Sequence, residues 1–372
     1  MRTSAVAGIV FANSNDNLLK RLTSHRSMAS VPFGGRYRLI DFALSNLVNA
    51  GITNVGIITK ENYRSLMDHV GSGIYWDLDR KNGGLYILPP YIESGIRRYS
   101  GTIDALHGAK DYIKRCKSDY IVLCAADALA NVDIKAVVSA HIKKNADITT
   151  VYHYGILPAN RDDAMIFSFD NDERIDSIGF VGEAGSELAY GIGITVISRE
   201  LLSNLVDEAY ENDLPNFNRN VMAAKVNQLK IYGYEHKEFV MLMNGTDSYF
   251  NANMALLDTN VRRSLFNKER PIYTKNRDDM PTRYGTKSDV KNSIIGDGCV
   301  INGTVKNSIL FRGVKVEKGA IIENCILMQE TKVGENAHLS NVISDKNAQI
   351  EENMVLKGTE DKHFFIKKNQ TI

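Results

Sequence analysis

The apolar positions of this chain follow two rhythms. Up to about residue 260, short continuous apolar runs alternate with stretches of helical period. Val6–Phe11, Val55–Thr59, Tyr120–Ala125 and Ile148–Tyr154 read as strands, because each is a compact apolar run of strand length. Leu39–Asn49, Asn62–His69, Thr102–Arg115 and Ile134–Lys144 carry their apolar residues on one side of a helical turn. Apolar strands alternating with helices predict a Rossmann-like, mostly parallel sheet covered on both faces. Right-handed crossovers then put a ligand site beyond the carboxyl ends of the strands.

The rhythm changes after about residue 288. Ile295 and Cys299, Leu310 and Val314, Val316 and Ala320, Val333 and Ala337, and Ile350 and Met354 are pairs offset by four. Several leading residues recur six positions later, as in Ile295 to Ile301 and Val333 to Leu339. Gly or a polar residue often follows the leader, as in Ile295-Gly296. This is the hexapeptide pattern of a left-handed parallel β-helix. The stretch between the two regions is polar and holds Pro271 and Pro281. The expected division is an α/β domain over 1–262, a linker over 263–287 and the β-helix over 288–372.

Composition narrows the class. Apolar residues make up 44% of the 372 and charged residues 24%, which is ordinary for a globular chain of two domains. The net charge of +1 gives no bulk argument for nucleic acid or a membrane surface. Cys116, Cys124, Cys299 and Cys325 form no C-x-x-C pair and suit a reducing cytosol as small buried residues. No apolar run approaches the ~20 residues needed to span a bilayer, and no leader pattern precedes the first strand. A cytoplasmic location is expected.

The candidate chemistry lies after the first strand. An α/β protein that binds nucleotide puts glycines in this loop, so that backbone N–H groups can approach phosphate. Here the loop reads Asn13, Ser14, Asn15, Asp16, and no glycine occurs between Gly8 and Gly34. A carboxylate at Asp16 opposes a phosphate chain.

Three segments carry a family resemblance. Pro32–Ile52 reads PFGGRYRLIDFALSNLVNAGI, Arg98–Leu106 reads RYSGTIDAL, and the hexapeptide region matches in position and length. Together they resemble the ADP-glucose pyrophosphorylase (glucose-1-phosphate adenylyltransferase) family over nearly the whole chain. The resemblance implies a nucleotidyltransferase-type first domain. It also implies a reaction in which a sugar phosphate attacks the α-phosphorus of ATP with Mg²⁺, and a tetramer responsive to metabolites.

Set against the family's motifs, the site residues divide. The glycines of the family loop L-A-G-G-x-G-T-R-L fall on Asn13, Ser14 and Asp16, and its arginine on Leu18. The lysine of R-A-K-P falls on Met28. In F-V-E-K-P the glutamate falls on Gly182 and the sugar-phosphate lysine on Glu183. The aspartate of G-D-H is retained as Asp127, while the metal carboxylate of D-F-G-K-D is replaced at Asn216. Arg26, Tyr99, Gly101, Thr102, Asp104 and Gly193 match the family and are expected to outline a residual nucleotide and sugar pocket. Each lost cation or donor costs on the order of 10²–10³ in rate.

The resemblance therefore points to the branch of regulatory, non-catalytic subunits, with Asp127 a vestigial catalytic and metal residue. The implied partner is a catalytic paralogue in a hetero-tetramer, with self-association an alternative. ATP, ADP-glucose or a metabolite effector is a possible ligand, and Mg²⁺ enters only if residual nucleotide binding persists. An active nucleotidyltransferase with altered phosphate and metal contacts is the competing reading. Two further expectations are minor. Trp76 lies in a Gly/Tyr-rich loop placed to cover the pocket, and His338 and His363 are read as solvated surface residues.

Overall fold

The computed structural model describes residues 6–90, 99–180, 182, 185–360 and 362–372. The main sheet has nine strands: β1 (Val6–Phe11), β2 (Asn54–Ile58), β3 (Gly84–Leu88), β4 (Tyr120–Ala125), β5 (Ile148–Ile156), β6 (Ile166–Phe169), β7 (Ile175–Gly179), β8 (Glu187–Ser198) and β9 (Ile231–Glu235). β3, β2, β1 and β4 run parallel, with Val10 between Ile57 and Cys124. The long strand β8 turns the sheet. It pairs antiparallel with β4, β5 and β6, and β9 returns parallel to β5. β1 is buried almost throughout because helices cover both faces, and this is why its sequence shows no alternation.

The helices start and stop on local chemistry. Asp133 caps Ile134–Lys143 by accepting from Ala136 N at 2.9 Å, and Ser198 caps Arg199–Glu211 in the same way. The single helix expected over Thr102–Arg115 is two, Thr102–Gly108 and Lys110–Arg115. The break falls at Gly108 and Ala109. A Cβ on Gly108 would lie 2.5 Å from the Tyr99 hydroxyl, so the hydroxyl end of that ring packs closely on the backbone there. Trp76 does not cover a pocket. It is 2% exposed and packs edge-on to His69, which is 2.6 Å from Asp41.

The second region is a parallel β-helix of three sheets, each with five parallel strands. Its first strands are Arg283–Tyr284, Asp289–Lys291 and Ile294–Ile295. The hexapeptide leaders stack in columns, with Val316 aligned to Val333 and Val333 to Ile350. Val305, Ile322 and Leu339 form a second column. Asparagines at several corners take the left-handed backbone that their short side chains tolerate: Asn292, Asn307, Asn324 and Asn341 have φ of 44 to 53°. Asn292 Nδ2 also donates to Asn307 Oδ1 at 2.8 Å, tying one coil to the next.

A shared apolar core joins the two regions. Leu22, Met28, Phe33, Phe42 and Tyr249 pack against Ile309, Phe311, Ile326, Met328 and Ile343 of one β-helix face. Two polar clasps flank it. Arg26 Nη2 bonds Asp345 at 2.7 and 3.1 Å, with both side chains 2% exposed. His363 Nδ1 lies 3.1 Å from Asp247 Oδ1, and its ring sits 3.8 Å from that of Phe250. His363 is thus buried at the junction, contrary to the surface role expected for it, whereas His338 is exposed. Beside the first clasp, burial and the nearby Arg38 and Arg26 guanidiniums push Lys346 down to about 7.

Candidate functional site

A cavity of about 430 Å³ opens where Phe11, Ile58 and Ala125 end their parallel strands. This is the edge at which the strand–helix alternation places a ligand site. The loop that follows β1 forms one wall with Asn13, Ser14 and Asn15. Tyr99, Gly101 and Thr102 form a second, and Asn216 and Phe217 a third.

Glycines shape the walls where a side chain has no room. Gly193 has φ +77° and faces Ala125, with a Cβ-to-Cβ separation of 2.6 Å if it carried one. A Cβ on Gly101 would fall 2.0 Å from the backbone oxygen of Pro215. Thr102 Oγ1 accepts from Phe217 N at 2.9 Å and couples the Y-x-G-T segment to that loop. Asp104 accepts from Ser100 N at 2.8 Å and from the Ser100 hydroxyl, holding the turn before the helix.

The replaced phosphate-loop residues bond to one another. Asn13 Nδ2 donates to Asp16 Oδ2 at 2.7 Å, and Met28 N donates to Asp16 Oδ1 at 2.6 Å. Asp16 therefore does not line the cavity. Its carboxylate caps the Met28 segment, and burial raises its pKa against those two bonds. Met28 is fully buried in the junction core, and Leu18 lies outside the cavity walls. Arg26, expected in the residual pocket, turns instead to Asp345 across the junction. Gly182 is packed among Ile166, Leu157 and Leu188, also away from the cavity, and Glu183 lies outside the described residues.

The floor of the cavity holds a closed ionic network. Asp127, 1% exposed, forms an ion pair with Arg161 Nη2 at 3.0 Å and accepts from Asn15 Nδ2 at 2.7 Å. Arg161 also forks onto Asp163, Nε to Oδ1 at 2.8 Å and Nη2 to Oδ2 at 2.9 Å. Its Nη1 donates to Met243 O at 3.3 Å. Asn15, held at φ 57°, donates to Asp163 Oδ2 at 2.8 Å as well. Burial works against charge on both Arg161 and Asp163, but the ion pairs outweigh it: Asp127 first and then Asp163 hold Arg161 above the usual arginine range, and Arg161 holds Asp163 below the usual carboxylate range. No sequence pattern joins Asn15, Arg161 and Asp163 to Asp127. The sequence offered one signal, the Arg161-Asp162-Asp163 run just before a strand, and it does not say what the arginine reaches.

These residues do not fit a divalent cation. Asp127 Oδ2 already has two donors, and Asn216 Oδ1 accepts from Arg219 N at 3.0 Å as a helix cap. Among the described residues, no group of three or more His, Cys, Asp or Glu is arranged to hold a metal. Nor do the walls favour a phosphate chain. Their described cations are Lys60 and Arg161, matched by the acids Asp127 and Asp163.

Comparison with known proteins agrees with the architecture. Residues 8–166 match the nucleotidyl transferase family model, and residues 280–372 match the GlmU-like C-terminal hexapeptide model. The chain is 40% identical to the glycogen biosynthesis protein GlgD of Geobacillus stearothermophilus, over 97% of this chain and 95% of that one. It is 32% identical to the GlgD of Bacillus subtilis, over 86% of this chain and 83% of that one. The chain belongs to the ADP-glucose pyrophosphorylase family. Identity to the glucose-1-phosphate adenylyltransferase of Geobacillus stearothermophilus is 32%, over 87% of this chain and 84% of that one. Among the described residues, no helix is long and apolar enough to cross a membrane.

Proposed function

We propose that this chain is a regulatory subunit of a glucose-1-phosphate adenylyltransferase, with little or no turnover of its own. It supports ADP-glucose synthesis for glycogen by assembling with a catalytic paralogue in a hetero-tetramer. The observation that carries the reading is the Asp127–Arg161 ion pair, closed by Asn15 and Asp163. Nucleotidyl transfer needs cations on the phosphates and a carboxylate free to hold metal. In this chain the remaining carboxylate is committed to an internal guanidinium. The likeness to two proteins named for glycogen biosynthesis supports the same reading.

A regulatory subunit works by differential affinity: it binds one state of its partner better and shifts the population toward it. The test is ADP-glucose synthesis by the catalytic paralogue from the same cell, with and without this chain. A raised rate or a changed effector response in the mixture is expected. Two non-interacting proteins on size-exclusion chromatography, with unchanged kinetics, would contradict it. The competing reading, an active nucleotidyltransferase with altered contacts, draws on the cavity itself, whose walls keep Tyr99, Gly101, Thr102 and Gly193.

A further inference from the structure

We propose that Arg161 is a built-in counter-ion standing where a divalent cation would bind, and that removing its guanidinium uncovers a latent metal site. The inference deepens the reading of this cavity as a nucleotidyl-transfer site and rests on it. Two carboxylate oxygens converge here. Asp127 Oδ2 and Asp163 Oδ2 both accept from Asn15 Nδ2, at 2.7 and 2.8 Å. The same two oxygens both face Arg161 Nη2, at 3.0 and 2.9 Å. Two acceptors that share two donors lie close together and point at one place.

Unscreened carboxylates in that arrangement repel, and both stay ionised only with a cation between them. A divalent ion meets the need with one or two carboxylates and several waters. Arg161 meets it with a planar fork that stays charged at every accessible pH. Its three nitrogens are all engaged, on Asp127, Asp163 and Met243 O, so it is held in place rather than loosely parked. Asn15 completes the set in a way that suits either cation. Its amide now donates, and with the side chain flipped its carbonyl would serve as a further oxygen ligand.

A guanidinium in this position blocks metal entry and removes the metal requirement for a stable site. Truncating Arg161 leaves two convergent carboxylates and an amide with no cation, which is an open oxygen site for a hard divalent ion.

The experiment uses Mn²⁺ as the probe, read by electron paramagnetic resonance and by thermal unfolding of the full chain. The wild-type protein, Arg161→Gln, Arg161→Met and Arg161→Met with Asp127→Asn are compared. The wild type is expected to show no Mn²⁺ site, and its unfolding temperature stays unchanged by the ion. Arg161→Gln and Arg161→Met are expected to gain a single site and an upward shift of the unfolding temperature with Mn²⁺, because a ligand that binds only the folded state stabilises it. Adding Asp127→Asn abolishes both effects. A wild-type Mn²⁺ site that needs Asp127 would overturn the proposal, and so would a folded Arg161 variant that gains none. If neither Arg161 variant folds even with Mn²⁺ present, the residue is a structural brace and the proposal fails. The readout is separate from the regulatory reading. A Mn²⁺ site in an otherwise inactive subunit sinks the counter-ion alone, and turnover without a Mn²⁺ site sinks the regulatory reading alone.

Discussion

A buried carboxylate has to be matched by donors, and at Asp127 they are Arg161 and Asn15. At the residue scale this pairing engages the one acid that the family resemblance marks as a metal ligand. Sequence reading found Asp127 as a retained acid and the lost glycines around Asn13, Ser14 and Asp16. It did not find Arg161, because the partner lies far along the chain and matches no motif. It also read Asp16 as a charge facing the ligand, whereas the side chain folds back onto Met28 N. A short polar side chain in a tight loop satisfies the nearest backbone donor first. The network has a pH signature. Asp163 has a folded pKa below its ordinary 3.8, so in the interval between the two values the unfolded chain binds more protons. Its contribution to stability is present above 3.8 and is lost as pH falls through the folded value. Urea midpoints measured on both sides of 3.8 should drop toward acid in the wild type and drop less in Asp163→Asn. Equal slopes would mean the pair adds nothing to folding.

At the scale of elements, strands were the most legible. β1 and β4 are written in apolar residues because both faces are covered, and the hexapeptide leaders fall in register because each coil repeats one geometry. Direction was less legible. A one-dimensional pattern cannot tell that β8 runs antiparallel to β4 while β1 runs parallel to it, since the same apolar code serves both. Helix boundaries failed where a tertiary contact intervened, as at Gly108 under Tyr99. The Y-x-G-T segment was readable as a motif, yet its structural reason is packing. Gly101 passes close under Pro215, and Thr102 holds Phe217 N. Those contacts are packing contacts and do not depend on whether the site turns over.

At the scale of the whole molecule, the two regions share one core, clasped by Arg26–Asp345 and His363–Asp247. Neither clasp was legible from sequence. Arg26 looked like a pocket residue because it matches a family motif, and His363 looked like a surface residue because it lies in the C-terminal tail. A buried charge left without its partner is costly, about 3–5 kcal/mol. Asp345→Asn should therefore lower stability by roughly that amount, since Arg26 would be left beside Arg38 and Lys346. Replacing both partners, Arg26→Met with Asp345→Leu, should cost much less, because the pair's desolvation is removed together with its attraction. Urea denaturation of the three proteins checks this. A single variant as stable as the wild type would show that the clasp is not carrying the junction.

The proposed lack of turnover at the cavity is most directly tested with the purified chain alone. ADP-glucose formation from ATP, glucose-1-phosphate and Mg²⁺ would be followed beside an Asp127→Asn control. With Asp127 locked to Arg161 and Asn15, both proteins should give the same rate, at the level of the blank. Robust synthesis by the wild type that disappears in Asp127→Asn would contradict the closed network and make this chain an enzyme in its own right.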